Sequence, residues 1–286
     1  MDIPNLQAFI AIAEYGSFSE ASEQLYLTQP AISKRIAVLE DELDSRLFDR
    51  VGRHIQLTEA GRALLPRAQK ILLEIEDSRR AIQNLSNRVA GVLRFATSHH
   101  IGLHRLPPVL RQYSKAFPDV ELDIQFMDSE EACRAVEQGE LEMAIVTLPL
   151  SPQKLLNTQH IWTDKLRVAV AVTHPMAKAK KINLTELANH KAILPARGTF
   201  TREIIEHAFV DKKLQLDISL ASNYLETIKM MVSVGIGWSI LPEQMKSRDL
   251  KFISITGLNL QRKLGIVTHK KRTLSNAAVE LVNSIA

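Results

Sequence analysis

Residues 27–68 read LTQPAISKRIAVLEDELDSRLFDRVGRHIQLTEAGRALLPRA, and this stretch decides the N-terminal fold. Thr28 is a helix N-cap type, and Pro30 falls in the first turn, where a missing N–H costs nothing. Ile32, Ile36, Leu39 and Leu43 recur at three- and four-residue spacing, one apolar face of a helix. LFDRV and HIQL follow as short extended runs with Gly52-Arg53 between them, a hairpin. Upstream, Asn5–Tyr15 sets Leu6, Phe9, Ile10 and Ala13 on one face and stops at Gly16. Ser19 is placed to cap a second short helix, SEASEQL. A short helix, a turn at Tyr26-Leu27-Thr28 and a second helix have helix-turn-helix spacing, and the hairpin is then a wing. That geometry puts Gln29, Ser33, Lys34 and Arg35 toward a major groove, where Gln reads adenine edges and Lys reads guanine or phosphate. Arg50, Arg53 and His54 at the hairpin tip suit phosphate or the minor groove. A generic three-helix bundle is the blander alternative on spacing alone.

From Thr58 a helical pattern runs to about Val89. Leu64, Ala68, Ile71, Ile75, Ser78, Ile82, Leu85 and Val89 alternate at four and three, a coiled-coil seam with one polar slot. Pro66 in the third turn is a candidate kink. The alternative is an amphipathic helix lying on its own domain.

After Gly91 strands and helices alternate. Val92–Thr97, Val120–Phe126 and Met143–Thr147 form one set of strands; Leu166–Val172, Ala192–Leu194, Ile218–Leu220 and Trp238–Leu241 form a second. Helices are expected near 106–117, 129–139, 201–210 and 224–234. This is an α/β pattern with a largely parallel sheet, in two sets facing across a cleft where a ligand would sit. The expected domains are 1–58, 59–89, then 90–161 with 267–286, and 162–266.

Composition constrains the function class. The 286 residues hold 45% hydrophobic and 24% charged residues, ordinary for globular domains. The net charge is +4, yet residues 1–90 carry 11 Lys+Arg against 13 Asp+Glu, net −2. DNA binding must therefore rest on where charges sit. No apolar run approaches the ~20 residues of a membrane span, and the N-terminus has no basic leader region, so a membrane role is not expected. One cysteine excludes an internal disulfide framework and fits a reducing cytoplasm. No nucleophile elbow, P-loop, G-x-G-x-x-G turn or complete metal spacing occurs, so an enzyme is not expected. A solute-binding or enzymatic α/β protein with an accessory helical domain is the rival, but it has no use for residues 1–58.

The quoted run resembles the N-terminus of LysR-type transcriptional regulators. The resemblance extends through LQAFIAIAEYGSFSEASEQL at 6–25, GVLRFATS at 91–98, LPPVLRQYSKAFPDVEL at 106–122, GELEMAIVT at 139–147 and ETIKMMVSVGIGWSILPEQM at 226–245. Asp44 departs from it, standing where the family usually has glycine; Asp tolerates the left-handed turn required there. The resemblance implies a mainly α winged helix-turn-helix, a long linker helix, and an effector domain of two Rossmann-like subdomains built like a periplasmic binding protein. It implies that Gln29, Pro30, Ser33 and Lys34, with Thr28 capping, belong to the recognition helix, and that Arg53 is a wing contact. It also implies that the linker helix pairs antiparallel with that of a second subunit through Leu64, Ala68, Ile71, Ile75, Ile82 and Leu85. Double-stranded promoter DNA and further copies of the chain, as a dimer of dimers, are the implied partners; RNA polymerase is a further one the resemblance allows.

The effector corner is read from strand ends and helix starts. Thr97, Ser98, His99 and His100 close the first strand, Ser129 opens a helix, Thr147 ends a strand, and Arg197, Thr199, Thr201 and Arg202 surround a third helix start. Exposed N–H groups and hydroxyls there favour a small anionic co-inducer, with no other cofactor. Met127, Trp238 and Ile101 would serve an apolar ligand instead. His100 and His104 stand at i, i+4, but no carboxylate or cysteine pattern completes a metal set along the chain, so none is assigned. Cys133 reads as an inert small residue.

Overall fold

In a computed structural model the chain divides into two compact units, Met1–Ser86 and Asn87–Ala286. The described residues are 1–51, 54–86, 88–179, 182–210 and 214–285; the side chains of residues 50, 51 and 54 also lie outside the description.

In the first unit, α1 (Ile3–Tyr15) is capped by Asp2, which accepts from the Asn5 N–H at 2.8 Å, and ends at Gly16 with φ 63°. The second helix, α2 (Phe18–Gln24), is capped by Ser17 rather than Ser19. Ser17 and Glu20 have capping-box spacing, and the Ser17 hydroxyl accepts from the Glu20 N–H at 3.3 Å. Thr28 caps α3 (Gln29–Glu42) as expected, accepting from the Ala31 N–H. Ile32, Ile36 and Leu39 of α3 bury against Leu6, Phe9 and Ile12 of α1. Asp44 takes φ 47°, the left-handed turn anticipated where a glycine was expected. Glu40 accepts from the Leu47 N–H at 2.7 Å and leads the chain into the hairpin of β1 (Phe48–Val51) and β2 (His54–Leu57).

Thr58 caps α4 (Glu59–Asn84), accepting from the Gly61 N–H at 3.0 Å. The helix runs on through Pro66. Its two halves differ. Ala68 is completely buried in the winged-helix core, with Leu64, Leu65 and Leu72 packed against that core. Ala68 is thus not free to form the seam expected of it, and Leu64 is half-covered by the same core. Ile71, Ile82 and Leu85 stay exposed, the last two at 70% and 78%.

The second unit contains, in chain order, β3 (Gly91–Thr97), α5 (His99–His104), α6 (Leu106–Ala116), β4 (Val120–Phe126), α7 (Ser129–Gln138), β5 (Met143–Thr147), β6 (Leu156–Ala171), α8 (Leu184–Ala188), β7 (Ala192–Leu194), α9 (Phe200–Val210), β8 (Ile218–Ala221), α10 (Leu225–Ser233), β9 (Ser239–Pro242), β10 (Leu250–Ile253), β11 (Leu260–His269) and α11 (Asn276–Ile285). The main sheet runs β10-β6-β11-β5-β3-β4, with β9 on β6; β7 and β8 form a separate parallel pair. The first half is cored by Leu93, Phe95, Met143 and Ile145 under Tyr113 of α6 and Leu281 of α11. The second is cored by Leu166, Val168, Ile205, Phe209, Trp238 and Ile240.

The sheet is mixed, not largely parallel as the sequence pattern predicts. The reason is the pair β6–β11, whose antiparallel register runs from Leu166↔Leu260 to Leu156↔His269 and joins the halves. The first part of β6, LNTQHIWTDK, is mostly solvent-facing, and β11 carries Gln261, Arg262 and Lys263, so neither gives a continuous apolar signal. Strand β10 and helices α8 and α11 also escape the sequence reading.

At the register shift between Leu264 and Gly265 the two strands come very close. A Cβ on Gly265 would collide with the Gln159 carbonyl oxygen, which is backbone and cannot swing aside. Gly265→Ala is expected to destabilise the fold by about 1–3 kcal/mol. Thermal unfolding followed by circular dichroism should show a fall in Tm of several degrees; an unchanged Tm would mean the strands separate there freely.

Candidate functional site

On α3 the residues opposite the Ile32–Ile36–Leu39 face are open. Thr28, Gln29, Pro30 and Lys34 are exposed and Ser33 is partly so. Gln29 with Ser33, and Pro30 with Lys34, are one turn apart, so the four make a single patch. Arg35 is set to one side, where its guanidinium lies 3.5 Å from the Pro4 carbonyl. Of the wing cations, Arg53 and the side chains of Arg50 and His54 lie outside the described residues. Tyr26, at φ 53° and 96% exposed, forms the turn between α2 and α3.

In the second unit a cavity of about 50 Å³ opens between the two halves. Space of that size holds a few waters or a small ion. Ser98, His99, His100, Ser129 and Thr147 line it from the first half, Thr199 and Thr201 from the second. Seven of the ten anticipated effector residues therefore converge. Ser98 caps α5 without a cap bond from its hydroxyl. The Ser129 hydroxyl accepts from the Thr147 N–H at 3.1 Å, and Thr199 caps α9 by accepting from the Arg202 N–H at 3.3 Å.

Three anticipated residues do not belong. Thr97 is buried and donates to the Ile145 carbonyl at 2.8 Å. Arg202 is 2% exposed, donating to Glu206 and to the Pro195 carbonyl, and together with Arg197 it faces a separate groove beside Phe209. A residue two places beyond a helix start points away from the corner its neighbour lines. The apolar alternative also loses its lining, because Trp238 and Ile101 are fully buried in the two cores. Met127 lines only a neighbouring, more open groove.

The cation that the cavity does hold is Arg262, on β11. Directly across on β6 stands Asp164, wholly buried. Its Oδ2 accepts from Arg262 at 2.8 and 3.1 Å, its Oδ1 from Arg105 at 2.8 Å, and His100 Nε2 lies 3.5 Å away. Burial alone would raise the Asp164 carboxyl; hydrogen bonds from His100 and the two arginines outweigh it and hold the group ionised far below the usual carboxylate range. Arg262 also reaches the Thr201 hydroxyl at 3.4 Å.

Two carboxylates, Asp128 and Glu130, also line the cavity. Each is engaged: Asp128 accepts from the Asn223 side chain, and Glu130 from the Phe200 N–H. Desolvation raises the Glu130 carboxyl above its ordinary value, against the Phe200 N–H hydrogen bond that lowers it. Arg262, Asp164, Arg105 and Asn223 were missed because their meaning depends on partners far along the chain. No local signal marks Asp164, which stands among the polar neighbours Thr163, Lys165 and Arg167.

His104 Nε2 meets Glu226 of α10 at 2.9 Å, a carboxylate 122 residues away that no local spacing reveals. Cys133 is buried on α7, and burial pushes its thiol up to about 12, so it stays protonated and unreactive. Among the described residues no helix is long and apolar enough to cross a membrane.

Two family profiles match: "Bacterial regulatory helix-turn-helix protein, lysR family" over residues 3–62, and "LysR substrate binding domain" over residues 86–286. An HTH-type transcriptional regulator of Azotobacter vinelandii is 68% identical over 108 residues, 38% of this chain and 75% of that one. A probable RuBisCO transcriptional regulator of Synechocystis is 30% identical over 99% of this chain and 86% of its own. Among solved structures, a full-length OxyR variant from Pseudomonas aeruginosa covers 100% of this chain and 94% of its own at TM-score 0.73 and 24% identity. Full-length CbnR, crystallised with its target DNA, covers 100% and 99% at TM-score 0.66 and 22% identity. At those identities the structures speak for the fold; the two profiles, which between them span nearly all of the sequence, speak for the family. The chain belongs to the LysR family of DNA-binding transcriptional regulators, proteins that carry a helix-turn-helix and a substrate-binding domain and are not enzymes.

Proposed function

We propose that this regulator reads promoter DNA with Gln29, Ser33 and Lys34 and adjusts its activity to a small anion, a carboxylate or inorganic oxyanion, held between the halves of the effector domain. The observation that carries the DNA reading is the exposed patch at the start of α3, opposite its buried face. Arg50, Arg53 and His54 serve as wing contacts in this reading. Because residues 1–90 are not basic overall, specificity must come from these few side chains and from more than one recognition helix on the same DNA. The effector reading rests on hydroxyls from both halves converging on one small cavity beside Arg262, with Ser98 free of a cap bond. Both acidic linings are hydrogen-bonded, which lowers their repulsion of an anion.

The assembled form is proposed to be a dimer, and by family likeness a dimer of dimers, working in the cytoplasm with RNA polymerase as a further partner. Ile71, Ile75 and Ile82 of α4, with Leu85 at its C-cap, form the seam; the exposure of Ile82 and Leu85 supports it.

Three measurements test these assignments. Ser33→Ala with Lys34→Ala should weaken operator binding by about 1–3 kcal/mol in a gel shift while leaving the fold intact; unchanged affinity would take α3 out of the readout. Ile82→Glu with Leu85→Glu should dissociate the dimer in light scattering, since charge is costly to bury in an apolar seam; a variant that stays dimeric would move the interface elsewhere. Calorimetric titration of the full chain with small carboxylates and sulfate should give a binder that Ser98→Ala with Thr201→Ala loses. A best ligand that is neutral, and bound equally by the double variant, would overturn the anion assignment.

A further inference from the structure

The fold assembles a donor set that the sequence leaves incomplete. His100 and His104 stand one turn apart on α5, their rings 4.8 Å apart. Glu226, on the first turn of α10, comes from the other half of the domain. Helix α5 is anchored by Ile101 in the core of the first half, and α10 by Leu225, Ile228 and Val232 in a core of the second. One donor atom from each of His100, His104 and Glu226 lies within 4.8 Å of the other two.

His100 carries the decisive detail. Its Nε2 faces the Asp164 carboxylate at 3.5 Å. A carboxylate only accepts, so Asp164 selects the tautomer with its proton on Nε2, in which Nδ1 is the lone-pair nitrogen. That Nδ1 is buried and has no hydrogen-bond partner among the described residues; the nearest Glu226 oxygen is 3.7 Å away. A carboxylate behind one imidazole nitrogen, orienting the other, is the outer-shell arrangement of metal-binding histidines. Here the carboxylate is itself fixed by Arg105 and Arg262.

The spacings fit. Four ligands placed tetrahedrally at about 2.0–2.1 Å from zinc lie about 3.4 Å apart. The His104–Glu226 separation is 2.9 Å and the His100–Glu226 separation 3.7 Å, on either side of that value. His104 and Glu226 both reach solvent, so a water can supply the fourth position.

We infer that His100 Nδ1, His104 Nε2 and Glu226 form a binding site for a borderline divalent transition metal of the Zn²⁺ class, one that fastens the two halves of the effector domain together. Imidazole and carboxylate donors suit such an ion, and Ca²⁺ or Mg²⁺ would demand more oxygens. The site is separate from the anion cavity but shares His100 as a wall, so metal occupancy sets the distance between the halves at the cavity's edge.

The test uses the full chain, freed of metal by a chelator and titrated with Zn²⁺ in a calorimeter and with Co²⁺ in a spectrophotometer. One Zn²⁺ per chain is expected, with the intense visible bands of tetrahedral cobalt and a rise in Tm on loading. His104→Ala and Glu226→Gln should each weaken Zn²⁺ binding about tenfold or more. Both positions reach solvent, and circular dichroism of the metal-free variants checks that they fold. His174→Ala, in the other close histidine pair, whose ring centroids are 5.2 Å apart, should bind as the parent does. Binding that both site variants retain, weak pale octahedral cobalt bands, or loss confined to His174→Ala would each overturn the inference.

Discussion

The effector half of this protein depends on one buried carboxylate. Asp164 sits in the middle of β6 with no exposure, and an isolated charge there would be intolerable. It survives because Arg262 lies directly across on β11, Arg105 approaches from the junction of α5 and α6, and His100 closes the set. Removing any one partner would leave uncompensated charge in a dry interior, which costs more than the pair gains by forming. The cluster therefore acts as a constraint on geometry: β6, β11 and α5 have one arrangement in which all charges are satisfied. Three functional elements hang from it. Arg262 presents a cation to the cavity, His100 has its ring turned, and the long strands that join the halves are locked in register.

The N-terminal unit depends on local rules, and so it was legible. Thr28 and Thr58 cap helices where hydroxyls accept the first free N–H groups, and Pro30 sits where proline does no harm. The hairpin follows from two short extended runs with Gly52-Arg53 between them. Even the departure at Asp44 could be read, because a left-handed turn was needed there and Asp permits one. At the start of α2 the capping-box spacing of Ser17 and Glu20 places the cap at Ser17, two residues before Ser19.

The effector unit was legible only in part, and the boundary is physical. Strands β5 and β7, buried at every position, leave continuous apolar runs; β3, β4 and β8 are partly exposed and were found from apolar residues recurring along them. Strands β6 and β11 connect the halves and carry polar residues on their open faces, so their periodicity is diluted. Hydroxyls that cap helices could be placed at the cavity because capping is local. The charged network could not, since Asp164 meets Arg262 from 98 residues away and Glu226 meets His104 from 122. The same limit explains Leu64 and Ala68: a heptad pattern marks which face is apolar, but not whether another copy or the protein's own core covers it.

Cys133 is the chain's single thiol, and it lies on the buried face of α7, the helix whose first turn supplies Ser129 and Glu130 to the cavity. A protonated, buried sulfur cannot be labelled while that helix is packed; it reacts only during the fraction of time the helix is lifted. Labelling kinetics with a thiol reagent thus report the opening free energy of this one element, with no second cysteine to confuse the signal. The protein carries its own clock for how often α7 lifts, and an occupant that binds only the packed helix through Ser129 or Glu130 slows that clock.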